Sequence, residues 1–234
     1  MYLIRGQNNI ALFKKRHPNT KMSATIGNFD GLHIGHQAIL NNLKEEAKQM
    51  NTSTLVFFTE PHASEYFSAQ GLTNKDSPPR LCPWREKFRL LNSHGIDYAC
   101  FLKFNSFLKS MTPEIFIRDI LEEMNLKSLI VGDDFRFGAK REGDFNLLKK
   151  WGEESNVAVS NTETILYDGK RISSTRIREA LMDSNFDLAT KLLGRPYIFS
   201  GKVVYGNQLG RTIEVPTANL WIPKQKLSIS GVYA

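Results

Sequence analysis

Two histidines, His33 and His36, stand three residues apart in the stretch NFDGLHIGHQAIL, with Gly35 directly before the second. An apolar run, Ser23 to Phe29, precedes them, and Ile39, Leu40 and Leu43 follow at helical spacing. That order predicts a strand, a turn, and a helix whose first turn carries both imidazoles on one face. A helix start leaves backbone N–H groups without intrahelical partners and favours negative charge, so imidazoles and amides face one space. Gly35 removes the side chain that would hold a phosphate away. Polyphosphate binding is the chemistry this arrangement suits best. Two other readings stay open at this level: the histidines satisfy local hydrogen bonds, or they hold zinc together with Asp30, although no clear fourth ligand accompanies them.

The elements that must position this turn are legible as alternating strands and helices. Beyond the Ser23–Phe29 strand and a helix over Gly35 to Gln49, Thr52 to Phe58 is a β-branched and aromatic strand. A long connection, PHASEYFSAQGLTNKDSPP, leads to a helix from Trp84 to Leu91, and Tyr98 to Leu102 and Ser128 to Gly132 are further strands. Thr112-Pro113-Glu114 caps a helix with a hydroxyl, a proline and an acid. Such alternation predicts a mostly parallel sheet covered on both faces, with ligands beyond the carboxyl ends of its strands. Near Leu193 the pattern changes. Gly201, Gly206 and Gly210 punctuate short β-branched runs, which marks a second, β-rich unit of roughly forty residues, too small to fold alone with ease.

Of the 234 residues 41% are hydrophobic and 24% charged, the balance of a folded globular chain. The 31 Lys and Arg against 24 Asp and Glu give a net charge of +7, which favours an anionic partner. Cys82 and Cys100 lack metal-type spacing and read as packing residues kept reduced in a cytosol. No apolar run approaches the roughly 20 residues of a membrane span, and the N-terminal segment lacks the pattern of a secretory signal, so a cytoplasmic protein without membrane contact is expected.

Two more stretches carry candidate chemistry. In VGDDFRFG, Gly132 lets the chain turn at a strand end, Arg136 is placed to pair with phosphate, and Phe135 and Phe137 either flank a planar ring or belong to the core. In ISSTRIR, Ser173, Ser174 and Thr175 offer hydroxyls and N–H groups at a helix start, with Arg178 one turn on; the alternative is a plain helix cap with a solvated arginine.

HIGH after GNFDG resembles the HxGH signature of the nucleotidylyltransferase superfamily, which class I aminoacyl-tRNA synthetases share. The wider string TIGNFDGLHIGHQAIL resembles the adenylyltransferase module of prokaryotic bifunctional FAD synthetases, which pair riboflavin kinase with FMN adenylyltransferase. VGDDFRFG is similar to that family's loop at the flavin and nucleotide pocket, and ISSTRIR to its second phosphate-binding motif. FFTEPHASEYF falls where the family carries Phe-Glu-Pro-x-Pro: Glu60 and Pro61 match, whereas Thr59 and Ala63 replace the usual aromatic and proline. GKVVYGNQLGRTIEVPTANL resembles the start of a riboflavin kinase domain, with Glu214 and Val215 in place of the usual Gly-Phe.

The resemblance implies a Rossmann-like α/β domain with a parallel sheet over residues 1–193, then an incomplete β-barrel, riboflavin kinase-like segment over 194–234. It implies that the phosphate of FMN attacks the α-phosphorus of ATP, giving FAD and pyrophosphate. His33 and His36 are then the catalytic pair on the ATP phosphates, acting as cationic donors. Gly27, Phe29, Asp30, Gly35, Ser174, Thr175 and Arg178 serve the nucleotide, with Asp30 orienting it or its magnesium. Asp134, Phe135, Arg136 and Phe137 serve the flavin. Mg²⁺ is expected as a cofactor held through ATP phosphates, and small molecules rather than nucleic acid are the expected partners. Thr217 and Asn219 match kinase residues that bind magnesium and ATP, but the family's catalytic glutamate lies beyond GVYA and nothing follows Ala234, so kinase activity is expected to be absent. Two rivals remain: a nucleotidylyltransferase with another acceptor, and an RNA-binding protein using the +7 charge with Phe101, Phe104 and Phe107.

Overall fold

The computed structural model describes residues 1–205, 218–221 and 228–229. In chain order its main elements are β1 (Tyr2–Arg5), α1 (Ile10–Arg16), β2 (Met22–Ile26), α2 (Ile34–Met50), β3 (Ser53–Glu60), α3 (Ala63–Ala69) and α4 (Trp84–Ser93). There follow β4 (Tyr98–Lys103), α5 (Ser106–Ser110), α6 (Pro113–Phe116), β5 (Leu126–Gly132), α7 (Phe145–Ser155) and β6 (Ala158–Thr162). A short hairpin, β7 (Leu166–Tyr167) and β8 (Lys170–Arg171), leads to α8 (Ser174–Met182) and α9 (Phe186–Leu193), and β9 (Lys202–Val204) pairs antiparallel with β10 (Asn219–Trp221).

β1 to β6 form one parallel sheet in the order β1-β4-β3-β2-β5-β6. A parallel strand covered on both faces needs apolar residues at consecutive positions. β3 shows how they are used: Leu55 and Phe57 enter one core with Phe13, Leu121 and Trp151, while Val56 and Phe58 enter the other with Leu40, Leu43 and Leu91. A third cluster joins Leu81 to Ile177, Leu181, Leu192 and Leu193, seating α8 and α9.

The central strands and the helix after the histidine turn agree with the sequence expectation to within a few residues. Thr112 caps α6 as expected, its hydroxyl accepting from the Ile115 N–H at 3.4 Å. The edge strands β1 and β6 fall outside the expectation because each has a solvent-facing side and β6 (AVSNT) carries little apolar pattern. The strand expected over Ser23–Phe29 stops at Ile26, since Phe29 adopts a left-handed conformation, φ 47°.

The strand order positions the site. β2 is connected through α2 to β3 on one side, and β5 through α7 to β6 on the other, so the connections part above the carboxyl ends of β2 and β5. Open α/β sheets bind ligands at such a switch point. The histidine turn follows β2, and VGDDFRFG closes β5.

Candidate active site

The turn after β2 is tightly wound. Phe29, Gly31 and Leu32 have φ of 47°, 77° and 44°, and His33 then adopts an extended backbone and caps α2. Its Nδ1 accepts the His36 backbone N–H at 3.3 Å. The His33 and His36 rings stack with centroids 3.6 Å apart, and Phe29 packs on His36 at 5.0 Å. A Cβ on Gly35 would lie 3.2 Å from the His33 ring, so this glycine admits the imidazole as well as leaving the helix start open. Gly27, whose N–H donates to Phe57 O at 3.1 Å, likewise leaves room for the Phe29 ring, 3.0 Å from where its Cβ would stand.

Their surroundings disfavour the charged form of both imidazoles, against the expectation of cationic donors. Burial first, then the charges of Arg171 and Arg178, lowers His33 to about 4. Burial, His33 and Lys87 hold His36 well below the usual histidine range. With Nδ1 of neutral His33 accepting, its proton sits on Nε2, which is left as a donor. Positive potential comes instead from helix starts and basic side chains. The segment entering α8 lies against the histidine turn and the start of α2: the Ser174 hydroxyl donates to Asp30 O at 3.0 Å, and Ile172 O is 3.8 Å from the Gly35 Cβ position. Ser173 caps α8 by accepting the Arg176 N–H at 3.2 Å, and Thr175 is exposed on its first turn.

Asp30 does not face a ligand. It is 2% exposed, and its carboxylate accepts from the Leu81 and Cys82 N–H groups at 3.1–3.2 Å and from Arg178 Nη2 at 2.5 Å. Those bonds occupy both oxygens, so the expected role toward nucleotide or magnesium gives way to a structural one. Arg178, expected to serve the nucleotide, is committed to Asp30 and to Pro79 O at 2.5 Å. The zinc reading does not fit either: Asp30 is saturated, one His33 nitrogen is occupied, and the stacked rings do not converge on a point. Cys82 is more than packing, since its sulfur accepts the Gly31 N–H at 3.3 Å.

On the β5 side, Phe137 is 6% exposed and belongs to the core with Phe116. Its ring lies parallel to that of Phe135 with centroids 5.7 Å apart, so no third ring fits between the two; Phe137 is a core residue and Phe135 is partly exposed against it. Arg136 pairs with Asp144 at 3.3 Å rather than standing free for phosphate. Asp134 is exposed and lies 3.2 Å from Arg171, which also bonds Asp133 at 3.2 Å and thereby ties this loop to the segment entering α8. Thr217 lies outside the described residues; Asn219 is exposed in β10, opposite Val204.

Sequence reasoning missed a buried charged cluster behind the turn. Lys87, fully buried, donates to Asn28 O at 2.5 Å and lies 3.2 Å from His62 Nε2, over the Phe58 ring. Arg80, 6% exposed, forks between Glu60, at 2.7 and 2.9 Å, and Glu65. The signal was present in α4: Lys87 stands one turn before Leu91 on the buried face, and a lysine on an apolar stripe calls for a partner.

The depressed imidazoles carry a pH dependence. His33 at about 4 and His62, lowered to about 2 by burial and then by Lys87, Arg80 and Arg178, stay neutral in the folded chain while unfolded histidine protonates near 6.5. Their contribution is complete above 6.5 and is lost as pH falls toward the folded values. Stability is expected to drop by about 2 kcal/mol per imidazole between pH 7 and pH 5. Urea unfolding at the two pH values checks this, and an unchanged midpoint would refute it.

A parallel sheet with a switch point, the starts of α2 and α8 adjoining there and an HxGH turn define an α/β nucleotidylyltransferase-type fold. Pantoate-beta-alanine ligase from Francisella tularensis, a crystal structure complexed with beta-gamma ATP and beta-alanine, shares the fold at TM-score 0.50 and 12% identity, over 83% of this chain and 78% of that one. A family model described as FAD synthetase matches residues 15–176, and one described as riboflavin kinase matches 193–234. The chain belongs to the FAD synthetase family. It is 45% identical over 235 residues to the bifunctional riboflavin kinase/FMN adenylyltransferase of Escherichia coli (strain K12), covering 100% of this chain and 72% of that protein. The protein of the same description from Buchnera aphidicola subsp. Schizaphis graminum is 43% identical over 236 residues, with the same coverage. A crystal structure from Streptococcus pneumoniae described as a macrolide-efflux protein superposes at TM-score 0.78 with 28% identity, over 100% of this chain and 73% of that one. Efflux is the description of the streptococcal protein; among the described residues here, no helix is long and apolar enough to cross a membrane.

Proposed function

We propose that this chain is an FMN adenylyltransferase: it transfers AMP from ATP to FMN, releasing pyrophosphate. An oxygen of the FMN phosphate attacks the α-phosphorus of ATP, a P–O bond to it forms, the bond to the bridging oxygen of the β-phosphate breaks, and pyrophosphate leaves with that electron pair. No covalent enzyme nucleophile is needed. Such transfers are accelerated chiefly by positioning and by stabilising charge on the phosphoryl oxygens. The observation that supports this reading most directly is the stacked, neutral His33–His36 pair at the start of α2, with the start of α8 beside it at the switch point.

Residues 1–193 form the adenylyltransferase unit in this reading, and 194–234 the beginning of a riboflavin kinase-like β unit. His33 and His36 donate to the ATP phosphates, and the N–H groups at Gly35, Ser174 and Thr175 complete the anion seat. The flavin lies on the β5 side, beside Asp134 and Phe135. Mg²⁺, when bound, supplies charge neutralisation at the phosphates. It would be carried on the phosphate oxygens of ATP, hard ligands suited to Mg²⁺, since the Asp30 carboxylate already accepts from Leu81, Cys82 and Arg178. The reaction is placed in the cytoplasm, where Cys82 and Cys100 stay reduced.

Purified protein with ATP and Mg²⁺, given FMN in one tube and riboflavin in another, tests this by chromatography of the flavins. FAD from FMN is the expected result. Absence of FAD, with the protein folded, would overturn the reading.

A further inference from the structure

The turn from Asn28 to Leu32 carries two non-glycine residues in left-handed conformation, Phe29 and Leu32, on either side of Gly31 at φ 77°. Such a run persists only where its surroundings over-determine it. Here side chains from four places hold its carbonyls. Asn28 O accepts from Lys87 Nζ of α4 at 2.5 Å, Asp30 O from Ser174 Oγ of α8 at 3.0 Å, and Leu32 O from Gln37 Nε2 of α2 at 2.9 Å. Gly31 O accepts from Arg195 Nη2 at 2.8 Å.

Three of these donors lie within the part of the chain that matches the FAD synthetase model, residues 15–176, but Arg195 lies in the part that matches riboflavin kinase, 193–234. The segment around it is fastened to the same place. Gln37 Nε2 also donates to Leu193 O at 2.8 Å, Tyr197 packs against the cluster of Ile177, Leu181 and Leu192, and the Ser200 hydroxyl donates to Glu86 at the start of α4 at 3.2 Å. A guanidinium on a partly buried carbonyl is a charge-assisted bond, stronger than a neutral one.

We propose that Arg195 is a positioning residue for adenylyl transfer, by which the segment leading into the second module holds the turn that aims His33 and His36. This rests on the adenylyltransferase reading. Gly31 and Leu32 set the direction in which the chain enters His33 and the first turn of α2, so loss of the clamp displaces the imidazoles without removing any group that touches ATP. Displacements of about 1 Å can lower rates about 10²-fold.

Arg195→Gln and Arg195→Lys in this chain test the proposal. Arg195→Gln is expected to lower kcat/KM for ATP at least about tenfold, through kcat more than through KM for ATP, with the thermal midpoint moved by a few degrees at most. Arg195→Lys, which keeps a cationic donor, is expected to recover most of the loss. Near wild-type activity of the glutamine variant would overturn the proposal, as would equal losses in both variants accompanied by a large fall in midpoint, which is the signature of a merely structural contact. If the wild-type chain makes no FAD, the adenylyltransferase reading itself fails. The clamp is then judged by calorimetric titration with a non-hydrolysable ATP analogue: weaker binding by Arg195→Gln, restored in Arg195→Lys, supports it, and equal affinities refute it.

Discussion

His36→Ala is expected to lower kcat for FAD formation by about 10² to 10³, the usual effect of deleting one preorganised donor to developing charge. The ring is held from two sides, by His33 at 3.6 Å and Phe29 at 5.0 Å between centroids, so its orientation is set before any substrate arrives. Its Nδ1 is buried without a hydrogen-bond partner among the described protein groups, an arrangement that costs stability unless something else supplies the partner. Because burial keeps the imidazole neutral, its contribution is an oriented N–H dipole, and the alanine variant should lose rate at saturating ATP across neutral pH. Steady-state kinetics with circular dichroism as a folding control provide the measurement. A folded His36→Ala protein within about tenfold of wild-type kcat would remove His36 from the catalytic machinery.

Asp30→Ala should act through stability. Its carboxylate is 2% exposed and binds Arg178, itself largely buried, together with two backbone N–H groups of the 81–82 segment. Deleting one partner of a buried ion pair leaves the other uncompensated, which typically costs about 3–5 kcal/mol. In a chain of this size that corresponds to a fall in thermal midpoint of about 10 °C. Asp30→Asn, which keeps one acceptor oxygen, should lose less. Calorimetric melting distinguishes this from the ligand role that the motif first suggested: a residue bound to nucleotide or metal would show a raised KM for ATP at unchanged stability. An alanine variant as stable as wild type would sink the structural assignment.

The amino-acid sequence by itself determined the central architecture and the place of the chemistry. Consecutive apolar residues such as Leu55 to Phe58 can be buried only between two covering layers, which forces a parallel α/β sheet; HIGH at a strand-to-helix junction puts imidazoles and free amides together whatever surrounds them. The ordered motifs were enough to indicate the family. Only the tertiary structure decided what each polar side chain does. Asp30 and Arg178, 148 residues apart in the chain, became each other's partners; Phe137 turned into the core with Phe135 packed against it; and burial lowered the proton affinity of the histidines below that of an exposed imidazole. Lys87 and Arg80 became buried basic groups bonded to Asn28 and to the carboxylates of Glu60 and Glu65. The physical reason is common to all of these: local pattern sets which face of an element is buried, but the partner of a buried charge and the resulting pKa depend on groups that only the packed fold brings within hydrogen-bond reach.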